Sequence, residues 1–132
     1  MKRRIWLEAQ EDTPFMYVDR LVNVDNSVIA TSDISSIAIK VFDIDTTTPD
    51  TAIISTSVGT TCVYATLQTD NHWKDDYGNF VDAIGYNFRH LITATAFPRD
   101  SRHVRVEYTF TPSTGDAFVI PQEFNVRKLY GS

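Results

Sequence analysis

Carboxylates are the side chains in this sequence whose spacing could support chemistry. The segment 68–83 holds four of them: Asp70, Asp75, Asp76 and Asp82. Such a group could supply a general acid and a general base to a hydrolase, or oxygen ligands to a calcium ion. The spacing does not match an EF-hand loop, because a Tyr-Gly pair directly follows the two adjacent aspartates and no glutamate closes the loop. Aspartates beside glycine and asparagine are more often turn formers.

Aromatic residues crowd the same region: Trp73, Tyr77, Phe80 and Tyr86. Aromatic side chains anchor protein interfaces and form platforms for sugar rings. The alternative is that Phe80 and Tyr86 fill the end of a β-sandwich, while Trp73 and Tyr77 are exposed. A candidate contact surface follows from this clustering: Trp73, Asp75, Asp76, Tyr77 and Tyr86.

Other reactive residues form no recognised pattern. The histidines at 72, 90 and 103 make neither an H-x-H nor an H-E-x-x-H motif, and Cys62 has no second cysteine to pair with. No G-x-S-x-G motif occurs, and the five glycines are scattered. We therefore predict no catalytic, metal-binding or cofactor-binding residues, no cofactor and no enzymatic activity.

The element best specified by the sequence is a β-hairpin over residues 102–127. Apolar residues alternate with polar ones before the turn and again after it: Val104, Val106, Tyr108 and Phe110, then Phe118, Ile120, Phe124 and Val126. This period of two indicates strands with one buried face. The seven residues between the two runs include Pro112 and Gly115, which is typical of a longer hairpin loop.

Shorter strands are predicted along the rest of the chain: 3–8, 15–22, 37–44, 52–58, 62–67 and 85–97. A change of parity predicts a bulge near Val41 and Phe42. The strands at 52–58 and 62–67, with Gly59 between them, are interpreted as a pair. No amphipathic helix of ten or more residues is evident, so the pattern predicts an all-β fold, a single antiparallel β-sandwich of seven or eight short strands spanning residues 1–132.

Composition limits the possible partners. The 132 residues are 42% hydrophobic and 22% charged, with a net charge of −5, which gives no support to nucleic-acid binding. The N-terminal sequence has no apolar run typical of a signal peptide, and no apolar segment is long enough for a membrane span, so we expect a soluble protein without a membrane role. Residues 41–88 carry seven acids and one base. That region is either a solvated acidic face or attractive to a basic partner.

Three stretches carry a resemblance to a known class of proteins. They are WKDDYG at 73–78, GYNFR at 85–89, and RVEYTFTP at 105–112 with Gly115 after it. Together they are similar to segments of small immunoglobulin-like β-sandwich proteins that are encoded among the structural genes of tailed bacteriophages. The similarity covers residues 70–127. The chain departs from true immunoglobulin domains because it lacks a cysteine pair, and His103 stands where an edge tyrosine is expected.

The resemblance implies an immunoglobulin-like fold and a non-enzymatic structural protein of the virion, assembled in the host cytoplasm. Its role would be capsid decoration or cement, or that of a tail or head–tail accessory, with other virion proteins or copies of itself as partners. Two alternatives stay open from the residues alone. One is a carbohydrate-binding module that uses the aromatic loop at 68–83, with Trp73 and Tyr77 as its rings. The other is a hydrolase that uses Asp75 or Asp76.

Overall fold

The computed structural model describes residues 7–25, 27–46, 48–75, 77–98 and 103–128. Within them the chain is all-β, as predicted, and its strands form two sheets. The strands are β1 Leu7–Gln10, β2 Phe15–Asp19, β3 Ile34–Asp43, β4 Ala52–Val58, β5 Val63–Gln68, β6 Tyr86–Ile92, β7 His103–Pro112 and β8 Phe118–Arg127. Helical structure in the described part is confined to 3-10 turns of three residues each: Thr31–Asp33, Thr60–Cys62 and Ala94–Ala96. No helix there is both long and apolar enough to cross a bilayer.

The sheets are arranged as a sandwich-like pair of layers. One has five strands in the order β1-β8-β7-β3-β4, and the other has three in the order β2-β6-β5. β1 runs parallel to β8, with Leu7 opposite Phe124, so the larger sheet is mixed. The prediction of a purely antiparallel sandwich is therefore wrong at this strand. After β1 the chain crosses to the other sheet instead of returning through a hairpin. β1 can therefore pair with β8 in the parallel direction.

The predicted hairpin is confirmed as β7 and β8. Its pairing runs from Phe110 opposite Phe118 to His103 opposite Asn125. The inward side chains of β7, from Val104 to Phe110 at alternate positions, are completely buried. Burial of each such side chain stabilises the fold by roughly 1.5–3 kcal/mol, which makes this strand the centre of the core.

Two predictions about the middle of the chain have different outcomes. The bulge is confirmed, because the β3–β4 register shifts between Val41 and Phe42. The strand predicted at 52–58 matches β4, but β4 and β5 are not partners: they lie in different sheets. The 3-10 turn Thr60–Cys62 carries the chain from one layer to the other, which a tight hairpin turn would not do. Of the strand predicted at 3–8, residues 3–6 lie outside the described residues.

Aromatic rings join the two layers. Tyr17 of β2 stacks on Tyr108 of β7, with ring centroids 5.4 Å apart and planes 19° apart. Phe88 of β6 meets Tyr108 edge-on at 5.0 Å and Phe110 edge-on at 5.1 Å. Edge-to-face and offset-stacked pairs contribute about 0.5–1.5 kcal/mol beyond the area that they bury. These contacts fix the two sheets in register.

Three connections meet at one end of the two layers, which we call the loop end: residues 20–33, 69–85 and 113–117. The register explains their proximity. The ends of β2 and β5 both lie beside the start of β6, and the end of β7 lies beside the start of β3. Buried Asn87 ties the first connection to β6, since its side-chain amide donates to the carbonyls of Leu21 at 2.9 Å and Ile29 at 2.7 Å.

Candidate functional site

The segment between the strands predicted at 62–67 and 85–97 contains a small hairpin. Lys74 and Phe80 form an antiparallel bridge. The backbone N–H of Asp75 donates to the carbonyl of Asn79 at 2.8 Å, and the N–H of Val81 donates to the carbonyl of Trp73 at 3.0 Å. We call residues 73–75 and 77–81 the loop hairpin. These backbone hydrogen bonds hold the tip of the loop hairpin in a defined position.

Asp75 forms the turn of this hairpin. Its Oδ1 accepts hydrogen bonds from the backbone N–H groups of Tyr77 at 2.9 Å and Asn79 at 3.0 Å. Gly78 has a φ of 82°, in the region that favours glycine. The carboxylate of Asp75 thus acts as a turn former, the role that aspartate beside glycine commonly has. Asp76, the other member of the predicted pair, lies outside the described residues.

Trp73 is placed differently from the sequence-based expectation. We expected an exposed ring, but only 7% of the residue is accessible. Its indole N–H donates to Oδ1 of Asp82 at 2.9 Å, and the guanidinium of Arg20 lies 5.8 Å from the centre of its ring. The indole therefore braces the base of the loop hairpin. A sugar platform made of Trp73 and Tyr77 together is not available in this arrangement.

Asp82 joins the loop hairpin to the rest of the loop end. Its Oδ2 accepts a 2.7 Å hydrogen bond from Arg20, which also forms an ion pair with it. Its Oδ1 accepts the backbone N–H groups of Ile84 at 2.9 Å and Gly85 at 3.0 Å in addition to the indole. The bond from Arg20, followed by the backbone and indole bonds, holds the pKa of Asp82 well below its usual range. The structural roles of Asp82 and Arg20 could not be predicted from the sequence, because the two residues are distant in the chain.

Tyr86 supports the hairpin from below. The residue is completely buried, and its hydroxyl donates to the carboxylate of Asp70, 3.0 Å from Oδ1 and 2.9 Å from Oδ2. Burial, together with the neighbouring carboxylate, raises the pKa of Tyr86 to about 12. Its ring centroid lies 5.8 Å from that of Trp73. Of the predicted contact residues, Trp73 and Tyr86 are thus interior supports.

The accessible apolar side chains of this loop are a different set, which we call the loop patch: Tyr77, Phe80, Val81 and Ile84. Tyr77, at the tip, is 90% exposed, and the other three are each more than half exposed. The ammonium of Lys74 lies 4.9 Å from the centre of the Phe80 ring. Tyr77 is therefore the one predicted contact residue whose ring the structure leaves fully accessible.

A cleft of about 430 Å³ lies between the other two connections of the loop end. Its walls come from residues 23–34 and 112–118, and Asp33 and Asp116 are among them. The backbone N–H of Ser113 donates to the carbonyl of Asp33 at 2.9 Å, which joins the two walls. Sequence reasoning found the 111–117 turn but not the cleft, because the opposite wall comes from a distant part of the chain.

The histidines have separate environments. His72 is exposed, Nδ1 of His90 is 2.8 Å from the hydroxyl of Tyr108, and His103 pairs with Asp45 at 3.0 Å. Among the described residues, no group of three or more His, Cys, Asp or Glu side chains could hold a metal ion.

Comparison of the chain with protein-family models, with curated proteins and with solved structures gives no significant match.

Proposed function

We propose that this chain is a non-enzymatic binding protein with an immunoglobulin-like fold, which contacts a protein partner through its loop end. We further propose that it is a structural component of a tailed-phage virion, either capsid decoration or cement or a tail or head–tail accessory. The single observation that carries the binding proposal is the exposure of Tyr77, 90% accessible at the tip of a braced hairpin. An exposed aromatic ring on a rigid support is well suited to anchor an interface.

The order of the strands supports the immunoglobulin-like assignment. In immunoglobulin domains one sheet contains the strands G, F, C and C′, and the other contains B, E and D. The order β8-β7-β3-β4 in one layer and β2-β6-β5 in the other corresponds to this arrangement when the strands are lettered along the chain. The B–F disulfide of antibody domains has a counterpart here in the stack of Tyr17 on Tyr108. That stack joins β2 to β7 without cysteine.

The position of the loops supports a binding role. In antibody variable domains, the B–C and F–G connections at one end of the sandwich belong to the antigen-binding loops. Residues 20–33 and 113–117 are the corresponding connections in this lettering, and the loop patch lies beside them on the third connection. An end that combines a cleft with exposed apolar groups offers both shape and contact area to a partner.

Two observations favour contact over the alternatives. The carboxylates of Asp70, Asp75 and Asp82 are each occupied by hydrogen bonds that hold the loop together, which favours a structural role over a catalytic one. A sugar platform was expected to need the rings of Trp73 and Tyr77 together. Because Trp73 is buried, Tyr77 has no second ring beside it from this pair, which favours a protein partner over a sugar. The virion assignment is supported by the resemblance alone, and the segments that carry it include β6 and β7, the centre of the sandwich.

The test is to purify phage particles made from the genome that encodes this chain and to measure copies per particle by quantitative mass spectrometry. We expect a fixed number of copies that survives gradient centrifugation. Tyr77→Ser should lower this number, whereas Val119→Ser, which removes a half-exposed apolar side chain on β8, should not. Absence of the chain from purified particles would refute the virion proposal, and equal occupancy of both variants would refute the role of the loop patch.

A further inference from the structure

One segment on the flank of the sandwich contains no charged residue. Residues 51–69 contain no Asp, Glu, Lys or Arg, in a chain that is 22% charged. This segment forms β4, the 3-10 turn after it, and β5. β4 is an outer strand of the five-stranded sheet and β5 is an outer strand of the three-stranded sheet. The uncharged segment therefore coincides with two sheet edges, where proteins usually place charges to prevent unwanted strand pairing.

The outer strands differ in how well they could accept another strand. β1 carries Glu8, which pairs with Arg127 at 3.1 Å, and β2 carries Asp19. β5 has an irregular register with β6, and irregular edges are poor templates for pairing. β4, in contrast, is paired regularly with β3 from Val58 to Ile54, and contains neither a charge nor a proline. Among the described edges, β4 is the one best suited to continue its sheet.

We propose that the free edge of β4 pairs antiparallel with β4 of a second copy of this chain about a two-fold axis. The two five-stranded sheets would then form one continuous sheet across the dimer. Such an interface is isologous, because the same strand is used by both copies. The inference stands apart from the loop-end proposal, because β4 contributes no residue to the loop end.

Charge identifies a second copy as the occupant. Each copy has a net charge of −5, so most approaches of two copies bring like charges together. The flank formed by residues 51–69 avoids this repulsion. A basic partner would be attracted instead to the acidic side chains that lie elsewhere on the chain. A strand without charged residues is therefore the part of the chain better suited to contact a second copy, which has the same net charge.

The sequence of β4 also suggests the register. With Thr56 on the two-fold axis, Thr56 faces Thr56 of the other copy, Ser55 faces Ser57, and Ile54 faces Val58. Every pair then joins side chains of like character, and Thr–Thr and aliphatic pairs are favourable across antiparallel strands. The side chains of residues 55–57 are all exposed in the single chain, so they are free to make these contacts.

The interface should be weak in dilute solution. A single strand of seven residues buries less area than the roughly 1,600 Å² of a standard interface. We therefore expect a dissociation constant on the order of 10–100 µM. Display of many copies on one particle would raise their effective concentration and favour the pairing.

Disulfide trapping tests the register. In a Cys62→Ser background, Thr56→Cys places two thiols opposite each other across the axis, with Cβ atoms about 4.5 Å apart, within reach of a disulfide. Ser55→Cys is the matched control, because its two thiols would be offset by two residues. Under mild oxidation at about 100 µM protein, we expect a covalent dimer at least ten-fold faster from Thr56→Cys. Equal rates for the two variants, or no dimer from either, would overturn the proposal.

Analytical ultracentrifugation from about 5 to 500 µM tests the association itself. The unmodified chain should pass from monomer to dimer. Thr56→Lys should abolish this transition, because two ammonium groups would face each other across the axis. Thr66→Lys, which places the same charge on exposed β5, should retain it, and so should Tyr77→Ser. Circular dichroism verifies that each variant is folded. A chain that stays monomeric, or that dimerises in spite of Thr56→Lys, would overturn the proposal and leave the loop-end proposal untouched.

Discussion

The indole N–H of Trp73 donates a 2.9 Å hydrogen bond to Oδ1 of Asp82, nine residues further along the chain. Oδ2 of the same carboxylate accepts from Arg20, whose guanidinium lies 5.8 Å from the indole ring. The loop hairpin is thus fixed at its base by a triangle of three side chains. This arrangement gives the exposed tip at Tyr77 a rigid support, which lowers the entropic cost of binding.

Removal of the carboxylate should loosen the loop. We expect Asp82→Ala to lower the free energy of unfolding by about 2 kcal/mol, because the indole, the guanidinium and two backbone N–H groups lose their acceptor. Fluorescence of Trp73, measured in a Trp6→Phe background, should shift to longer wavelength as the ring gains access to water. Asp116→Ala, on the neighbouring connection, should change neither quantity. An unshifted spectrum for Asp82→Ala would contradict the bracing role.

The pKa of the same carboxylate predicts a pH dependence. The pKa of Asp82 is lowered in the folded chain, so its contribution to stability is fully present above the unfolded value of about 3.9 and is lost as pH falls below it. Asp82→Asn cannot titrate. The difference in unfolding free energy between the unmodified chain and Asp82→Asn should therefore be constant from pH 7 to 5 and shrink from about pH 4 downwards. Urea titrations across this range measure it, and a constant difference down to pH 2.5 would contradict the assignment.

Gly85 lies where the loop enters β6, and it cannot accept a side chain. Its φ is 105°, and a Cβ atom would lie 2.4 Å from the carbonyl oxygen of Gln68. Gly115 has a similar φ of 102° with nothing within 4 Å of such an atom. Gly115→Ala should cost roughly 1–2 kcal/mol from backbone strain alone, whereas Gly85→Ala should cost about 3–4 kcal/mol because overpacking is added. Chemical denaturation separates the two, and equal losses would show that the close approach to Gln68 is unimportant.

His90 gives a second pH dependence, between the layers. Burial lowers the pKa of His90 in the folded chain, while its Nδ1 lies 2.8 Å from the hydroxyl of Tyr108. The unfolded chain therefore takes up this proton first as pH falls below about 6.5, and the folded state is destabilised relative to it. His90→Gln does not titrate. Its stability relative to the unmodified chain should improve as pH falls from about 7.5 to 5, and an unchanged difference would contradict the assignment of a half-buried, neutral histidine at this position.

The elements that could be predicted from the sequence are those whose signal is local. The alternation from Val104 to Val126 predicted β7 and β8, and the parity change at Val41 and Phe42 predicted the bulge. The pairing of β1 could not be predicted in this way, because the direction of a strand in a sheet depends on contacts distant in the sequence.

Within the candidate segment, the exposure of the aromatic side chains could be predicted only in part, because Trp73 is buried and Tyr77 is exposed. Trp73 was expected to be exposed, but its ring is buried and faces the guanidinium of Arg20, which comes from a different connection. A single sequence contains no local signal for such a contact. Tyr77, in contrast, sits beside the glycine of a turn, and turn tips are exposed for local reasons.

Hydroxyl-radical footprinting of the protein on purified particles, compared with the free chain, tests the central claim most directly. We predict that oxidation of Tyr77 and Phe80 falls at least five-fold on the particle, the extent expected for side chains in the dry centre of an interface. Val119, which lies outside the loop end, should react equally in both states. If Tyr77 reacts as readily on the particle as in solution, the loop end is not the contact surface, and the proposed function is wrong.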